Sequence, residues 1–148
     1  TSEHPAHAMR SRTLVFAAAL WWGSLSAIGF MAVPLLFRHL PTASLAGQTA
    51  ARLFSAQTWV SLVCGVLLLV LLKPKPGSAR AQKARAATIF VVLGMLMAMV
   101  VEYGVAPRIV ARENLAMWHS VGTLMYAVQW LCAGVVLWRV SPPTGWRP

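Results

Sequence analysis

The amino-acid sequence predicts an all-α fold: an integral membrane four-helix bundle made of two helical hairpins, with both termini cytoplasmic. Hydrophobic residues make up 58% of the 148 positions and charged residues only 11%, against about 25% charged in a soluble domain. The apolar residues collect in four runs, each long enough to cross a hydrocarbon core of about 30 Å as a helix. The net charge of +10 comes from Lys and Arg between these runs. That pattern is typical of membrane topology signals, so no nucleic-acid partner is predicted.

The first predicted span covers residues 13–37, after a polar cytoplasmic tail at residues 1–12. The span carries no charged residue. It exceeds the apolar core of about 7–15 residues found in cleaved signal peptides, so a retained helix is predicted. Small residues recur at every fourth position at Ala19, Gly23 and Ala27. This stripe predicts that a neighbouring helix approaches closely.

The second predicted span covers residues 56–72 and follows a segment with the pattern of an amphipathic helix. Thr42 or Ser44 is placed to cap the N-terminus of that helix. Pro34, near the end of the first span, is expected to kink or end its helix because proline lacks a backbone N–H. A basic loop at residues 73–85 separates the second span from the third.

The second hairpin consists of predicted spans at residues 86–105 and 115–140, followed by a cytoplasmic C-terminal tail at residues 141–148. Cys64 and Cys132 both lie inside apolar runs rather than in loops. The two cysteines are therefore expected to be packed thiols and not a disulfide.

The distribution of positive charge predicts the orientation. Eight of the thirteen Lys and Arg residues fall in the two tails and the basic loop, and a ninth, Arg139, ends the fourth span on the same side. The positive-inside rule places that side in the cytoplasm. The hairpin ends then face outward, across the inner membrane of a bacterial cell, and the basic loop faces anionic lipid head groups. The outward-facing cations are Arg38, Arg52, Arg108 and Arg112.

The two hairpins share a pattern. Each outgoing span has a proline shortly before an arginine, and each returning span has an aromatic residue and then a cysteine. Coincidence and a parallel two-plus-two repeat about an axis along the membrane normal are both open explanations. The residues concerned are Pro34, Arg38, Phe54 and Cys64 in the first hairpin and Pro107, Arg112, Trp118 and Cys132 in the second.

The unusual polar residues converge at the outward ends of the spans and form the candidate ligand-binding set. On the fourth span, polar residues spaced three or four apart share one helix face, which should point into the bundle because lipid cannot satisfy their hydrogen bonds. The candidates are Arg38, Arg52, Glu102, Tyr103, Arg108, Arg112, His119, Tyr126 and Gln129.

Glu102 is the central candidate because an ionisable residue inside a span is a functional-site hypothesis by default. Its expected partners are Arg108, Arg112 or His119. Two interpretations stay open: a working site, and a structural ion pair at the membrane interface.

His119, alone or with His39, is a candidate metal or haem ligand. The alternatives are a hydrogen-bonded histidine at a helix start for His119 and a solvated boundary residue for His39. The sequence has no Gly-rich phosphate loop, no paired-cysteine metal motif and no nucleophile elbow. With only three acidic residues, enzymatic acid–base chemistry is poorly supported.

Four short motifs carry a family resemblance: Leu20-Trp21-Trp22-Gly23, Pro34-Leu35-Leu36-Phe37, Arg52-Leu53-Phe54 after Ala46-Gly47, and Trp118-His119-Ser120. Over roughly residues 13–139 the chain resembles the bacterial domain-of-unknown-function family related to eukaryotic transmembrane protein 205. That resemblance implies a four-helix integral membrane protein and supplies no established reaction. Ser120 stands where the family pattern has glycine.

More distantly, the four-helix plan resembles the copper-resistance D family and the membrane protoporphyrinogen oxidase family. The latter would imply handling of haem or porphyrin. That family is expected to have a histidine early in the first helix and a lysine in the third helix. Both are missing here.

The function predicted from these observations is that of a non-enzymatic membrane protein. It binds or helps move a small solute, or serves as an accessory subunit of a membrane complex, with a membrane protein or a second copy as partner. The alternative is a haem- or metal-binding redox protein that uses His119 and His39.

Overall fold

A computed structural model describes residues 5–73 and 79–142, and within these ranges every regular element is helical. This confirms the predicted all-α class. Most of the predicted C-terminal tail and part of the basic loop lie outside the described residues. The elements are α1 (Pro5–Ala27), a π-helical segment (Ile28–Ala32), α2 (Val33–His39), α3 (Ala43–Leu71), α4 (Ala79–Val100), a second π-helical segment (Val101–Val105), α5 (Ala106–Val110) and α6 (Leu115–Val140).

Four of the described helices are long and apolar enough to cross a membrane: Ala8–His39, Ala43–Leu71, Ala84–Val110 and Leu115–Val140. Large apolar side chains cover their outer faces, with Trp138 85% exposed. Because a soluble protein does not leave so much apolar surface in water, the fold fits a multi-pass membrane protein.

The four long helices share one core. In cross-section α1, α3, α4 and α6 follow one another around a ring, so α1 lies diagonally opposite α4 and α3 diagonally opposite α6. Both cysteines are buried and free, which confirms that they are packed thiols. Core residues from the four helices include Trp21 and Leu25, Cys64 and Leu68, Ala87 and Val91, and Ala133 and Val136.

The close approaches in this core occur at glycines other than the predicted one. The ring of Trp21 crosses the core to Gly94, and Met95 packs on Gly65. Nothing lies within 4 Å of the position that a side chain at Gly23 would take, and the neighbouring stripe positions Ala19 and Ala27 are exposed. The prediction that this stripe packs against another helix is therefore wrong for the folded chain. A stripe of small residues that faces lipid has the same sequence pattern as one that packs against a helix, so the pattern alone does not distinguish the two.

The first helix of each hairpin contains a π-helical turn that ends two residues before a proline. The N–H of Val33 donates to the carbonyl of Ile28 five residues back, and that of Ala106 donates to Val101 in the same way. A proline in a regular helix removes one hydrogen bond and crowds the carbonyl four residues back, and a π turn widens the helix at that point. Pro34 therefore does not end its helix, since α2 continues to His39.

Polar contacts hold the chain at both ends of the helical core. Thr42 caps α3 by accepting a hydrogen bond from the N–H of Leu45 at 3.2 Å, as predicted. At the end that carries the chain termini, the guanidinium of Arg10 donates to the carbonyls of Leu71 and Lys73. These carbonyls have no intrahelical partner at the end of α3. The opposite end, which carries the turns of both hairpins, is called the hairpin end below.

Candidate functional site

Glu102 lies in the second π-helical segment near the hairpin end and is half-buried. Its Oε1 atom accepts a hydrogen bond of 2.7 Å from the hydroxyl of Ser55 on α3. The sequence had pointed to Arg108, Arg112 or His119 as its partner, and in the structure the partner is this serine. This partner is neutral, and no Lys, Arg or His side chain of the described residues forms an ion pair with Glu102.

A groove of about 620 Å³ opens beside Glu102, between α3 and α5. Arg52 and Ser55 are three residues apart on α3, so they share the face that borders the groove. The lining of the groove therefore includes one guanidinium and one carboxylate among mainly apolar side chains. It is lined by Ala51, Arg52, Ser55, Glu102, Ala106, Pro107, Val110 and Ala111.

Arg108 has a different role from the one predicted. Its Nη1 atom donates to the carbonyl of Gly104 at 2.8 Å, and its guanidinium lies 4.5 Å from the centre of the Trp118 ring. The side chain thus fastens α5 to α6 by a cation–π contact. It is directed to these partners rather than to Glu102.

Four further candidates lie exposed at the hairpin end and are not brought into the groove. Arg112 sits in the turn between α5 and α6 with a φ of 58°, and Tyr103 is 64% exposed. Arg38 and His119 are also exposed, on α2 and at the start of α6. Their exposure leaves them free to meet solvent or lipid head groups.

The histidines offer no ready-made metal centre within the described ranges. His39 is exposed, and its Nδ1 atom lies 3.2 Å from the carbonyl of Leu35. In residues 5–73 and 79–142, no group of three or more His, Cys, Asp or Glu side chains is placed to hold a metal ion. A metal or haem bound through His119, alone or with His39, stays a prediction.

Tyr126 connects α6 to the first π-helical segment. Its hydroxyl donates to the carbonyl of Leu25 at 2.7 Å, three residues before the π turn begins. The ring also makes an edge-to-face contact with Phe54 at 5.2 Å. A side chain at Gly29 would meet this ring at 2.8 Å.

Gln129 is buried in a polar cluster at the middle of the core. Its Nε2 atom donates to the hydroxyl of Ser61 at 2.7 Å. Gln57 donates to Ser24 at 3.0 Å and faces Ser61 at 3.4 Å. The cluster joins α1, α3 and α6. The expectation that the polar face of the fourth span points inward is met by Gln129 and, in part, by Tyr126.

Sequence reasoning missed the three serines of these sites: Ser24, Ser55 and Ser61. One signal was present, because Ser55, Thr58 and Ser61 recur every third residue within an otherwise apolar span. Such spacing places polar groups along one side of a helix, where a membrane requires protein partners.

Comparison with known proteins identifies a family but no activity. A family model described as a domain of unknown function, DUF4149, matches residues 16–117, which is more than half of the chain. The match includes both π-helical segments and the groove residues. No curated protein matches, and no solved structure matches.

Proposed function

The chain belongs to the DUF4149 family, a domain of unknown function, and we propose that it binds a small zwitterionic solute in the groove between α3 and α5. The observation that carries the proposal is the carboxylate of Glu102, which borders the groove and, among the described residues, is hydrogen-bonded to the hydroxyl of Ser55 alone. An amine on the solute would pair with Glu102, and an acidic group on it would pair with Arg52.

The dimensions of the groove support a ligand of this class. Its volume of about 620 Å³ falls in the range of about 300–1,000 Å³ that small-molecule sites occupy. The apolar side chains of Pro107 and Val110 would pack on the carbon atoms of the solute. One carboxylate and one guanidinium would fix its direction, since charge-assisted hydrogen bonds are the strong ones.

The position of the groove also supports binding near the membrane surface. Glu102 sits in a π turn, and solute sites in membrane proteins are commonly built where a spanning helix departs from regular geometry. Such a site keeps a charged group out of the hydrocarbon core.

The test is protection against thermal unfolding in detergent, with phosphoethanolamine as the probe. A ligand that binds only the folded state at about 100 times its Kd stabilises the protein by about 2.7 kcal/mol. We expect the probe to raise the Tm of the native chain, and ethanolamine or phosphate alone to raise it less. Glu102→Gln and Arg52→Gln should each abolish the increase.

Glu113→Gln is the matched control, because Glu113 is an exposed carboxylate outside the groove. It should leave protection intact. No increase with the native chain, or the same increase in Glu102→Gln, would refute the proposed site. An accessory role in a membrane complex would instead appear as a partner that co-purifies whether or not Glu102 is replaced.

We further propose that the hairpin end faces outward across a bacterial inner membrane and that both termini are cytoplasmic. The positive charge of the tails and the basic loop supports this orientation. Single cysteines at Ser44 and Gln82 report it through an impermeant maleimide applied to intact cells. Cys64 and Cys132 are each 3% exposed, so the background is low. Labelling at Gln82 but not at Ser44 would reverse the orientation.

A further inference from the structure

The two hairpins correspond in the spacing between π-helical segment and proline and in the position of one glutamine. Each π-helical segment begins six residues before a proline, at Ile28 before Pro34 and at Val101 before Pro107. This correspondence supports a parallel repeat with an axis along the membrane normal. In the returning helices, Gln57 is the fifteenth residue of α3 and Gln129 the fifteenth of α6. Phe54 therefore corresponds to Tyr126, and not to Trp118.

The two matched glutamines meet at the centre of the core. Gln129 donates to the hydroxyl of Ser61, and Gln57 faces the same hydroxyl. Gln57 also donates to Ser24, whose hydroxyl in turn donates to the carbonyl of Trp21 at 3.0 Å. The polar groups of three helices are thus linked about halfway along α3 and α6.

Two buried polar atoms, one on α3 and one on α1, lack a hydrogen-bond partner among the described residues. Gln57 is 2% exposed and its Oε1 atom has no hydrogen-bond partner in the described part of the chain. Trp21 is fully buried, and its Nε1 atom likewise lacks a partner there. Buried polar groups are nearly always satisfied, so each of these atoms calls for a partner that the described residues do not supply.

In the structure the hydroxyls of Ser24 and Ser61 donate to the carbonyls of Trp21 and Gln57, and both serine oxygens accept from the amide nitrogen of Gln57. Reversing the amide would leave its nitrogen unpaired in place of its oxygen, so one buried amide atom needs a partner in either orientation.

We propose that water occupies this polar centre and pairs with Gln57 Oε1 and Trp21 Nε1. One unpaired atom is an acceptor and the other a donor. A metal ion or an ammonium group would satisfy only the acceptor, and an anion only the donor. Water satisfies both, and an uncharged ligand suits a core in which none of the described buried side chains is charged. Internal waters of this kind are integral parts of folded proteins.

The experiment is a high-resolution structure of the full chain crystallised from a lipid mesophase, for the native protein and for Gln57→Met. We expect an ordered water within about 3.2 Å of Gln57 Oε1 in the native protein and its loss in the variant. A protein donor on that oxygen, or a native core without water, would overturn the proposal.

Infrared difference spectra between ordinary and heavy-oxygen water give a second measurement that needs no crystal. The native protein should show an isotope-sensitive O–H band of internal water, which Gln57→Met should lose. Ser26→Ala is the matched control, because it removes the 2.8 Å bond from Trp130 to Ser26 without touching the cluster. Equal bands in Gln57→Met and the native protein would refute the assignment.

Discussion

Gly94 allows the indole of Trp21 to cross the centre of the core, so replacing this glycine by alanine tests the packing directly. The new Cβ atom would lie 2.8 Å from Cη2 and 2.9 Å from Cζ2 of the Trp21 ring. It would also lie 3.4 Å from the Cβ atom of Cys132. The ring is fully buried, so it cannot move aside without displacing its neighbours.

The expected cost follows from two opposing effects. Overpacking a filled core costs about 1–3 kcal/mol, whereas alanine stabilises a helix interior over glycine by about 1 kcal/mol. Gly23→Ala is the matched control, because it gains the helix preference and meets nothing within 4 Å. Gly94→Ala should therefore be less stable than Gly23→Ala by about 1–3 kcal/mol, since the helix preference cancels in this comparison.

The measurement is reversible unfolding in mixed micelles with increasing sodium dodecyl sulfate, followed by circular dichroism. The smaller ring of Trp21→Phe should recover part of the loss when combined with Gly94→Ala, because the two changes act on one contact. Equal stability of Gly94→Ala and Gly23→Ala would show that Trp21 does not occupy this position.

Three further changes test single contacts by the same unfolding assay. Arg10→Gln should lower the free energy of unfolding by about 1 kcal/mol, because it frees carbonyls at the end of α3; an unchanged midpoint would contradict the contact. Thr42→Ala should cost about 1 kcal/mol by removing the cap, and no loss would show that the hydroxyl does not cap α3. Arg108→Gln should cost about 0.5–1 kcal/mol and alter the fluorescence of Trp118, because it removes the cation–π contact. Native-like stability and emission would count against that contact.

The four helices were predictable because hydropathy is a property of consecutive residues. Each run carries enough apolar side chains to require lipid, whatever the other runs do. The cap at Thr42 was predictable for the same reason, since the donor lies three residues away. Both features depend on residues that are close together in the sequence.

The π-helical turns could not be predicted in this way. From the sequence, Pro34 was equally compatible with a kink in the helix and with the end of the helix. The structure resolves the choice through Tyr126, whose hydroxyl reaches Leu25 across 101 positions of sequence. The sequence showed a polar face on α6 but not the groups that this face would meet.

Glu102 was found from the sequence because a charge in an apolar run stands out. Its partner Ser55 was not, because the two residues are 47 positions apart and serine is common in spanning helices. Nearby arginines were the obvious partners for a carboxylate, yet Arg108 is engaged by Trp118. Charge alone therefore singled out Glu102 without predicting its partner.

The π-helical turns also determine where the chain tolerates a change in length. A residue added to a regular helix rotates everything beyond it by about 100°, whereas a π turn absorbs one extra residue locally. Deleting a single residue within Ile28–Ala32 or Val101–Val105 would thus restore a regular helix and keep the following segment facing the same way. The cost of such a deletion is that the proline ring would again crowd the carbonyl four residues back. A deletion elsewhere in these helices would turn Arg38, or the wall of the groove at Pro107 and Val110, away from its present position.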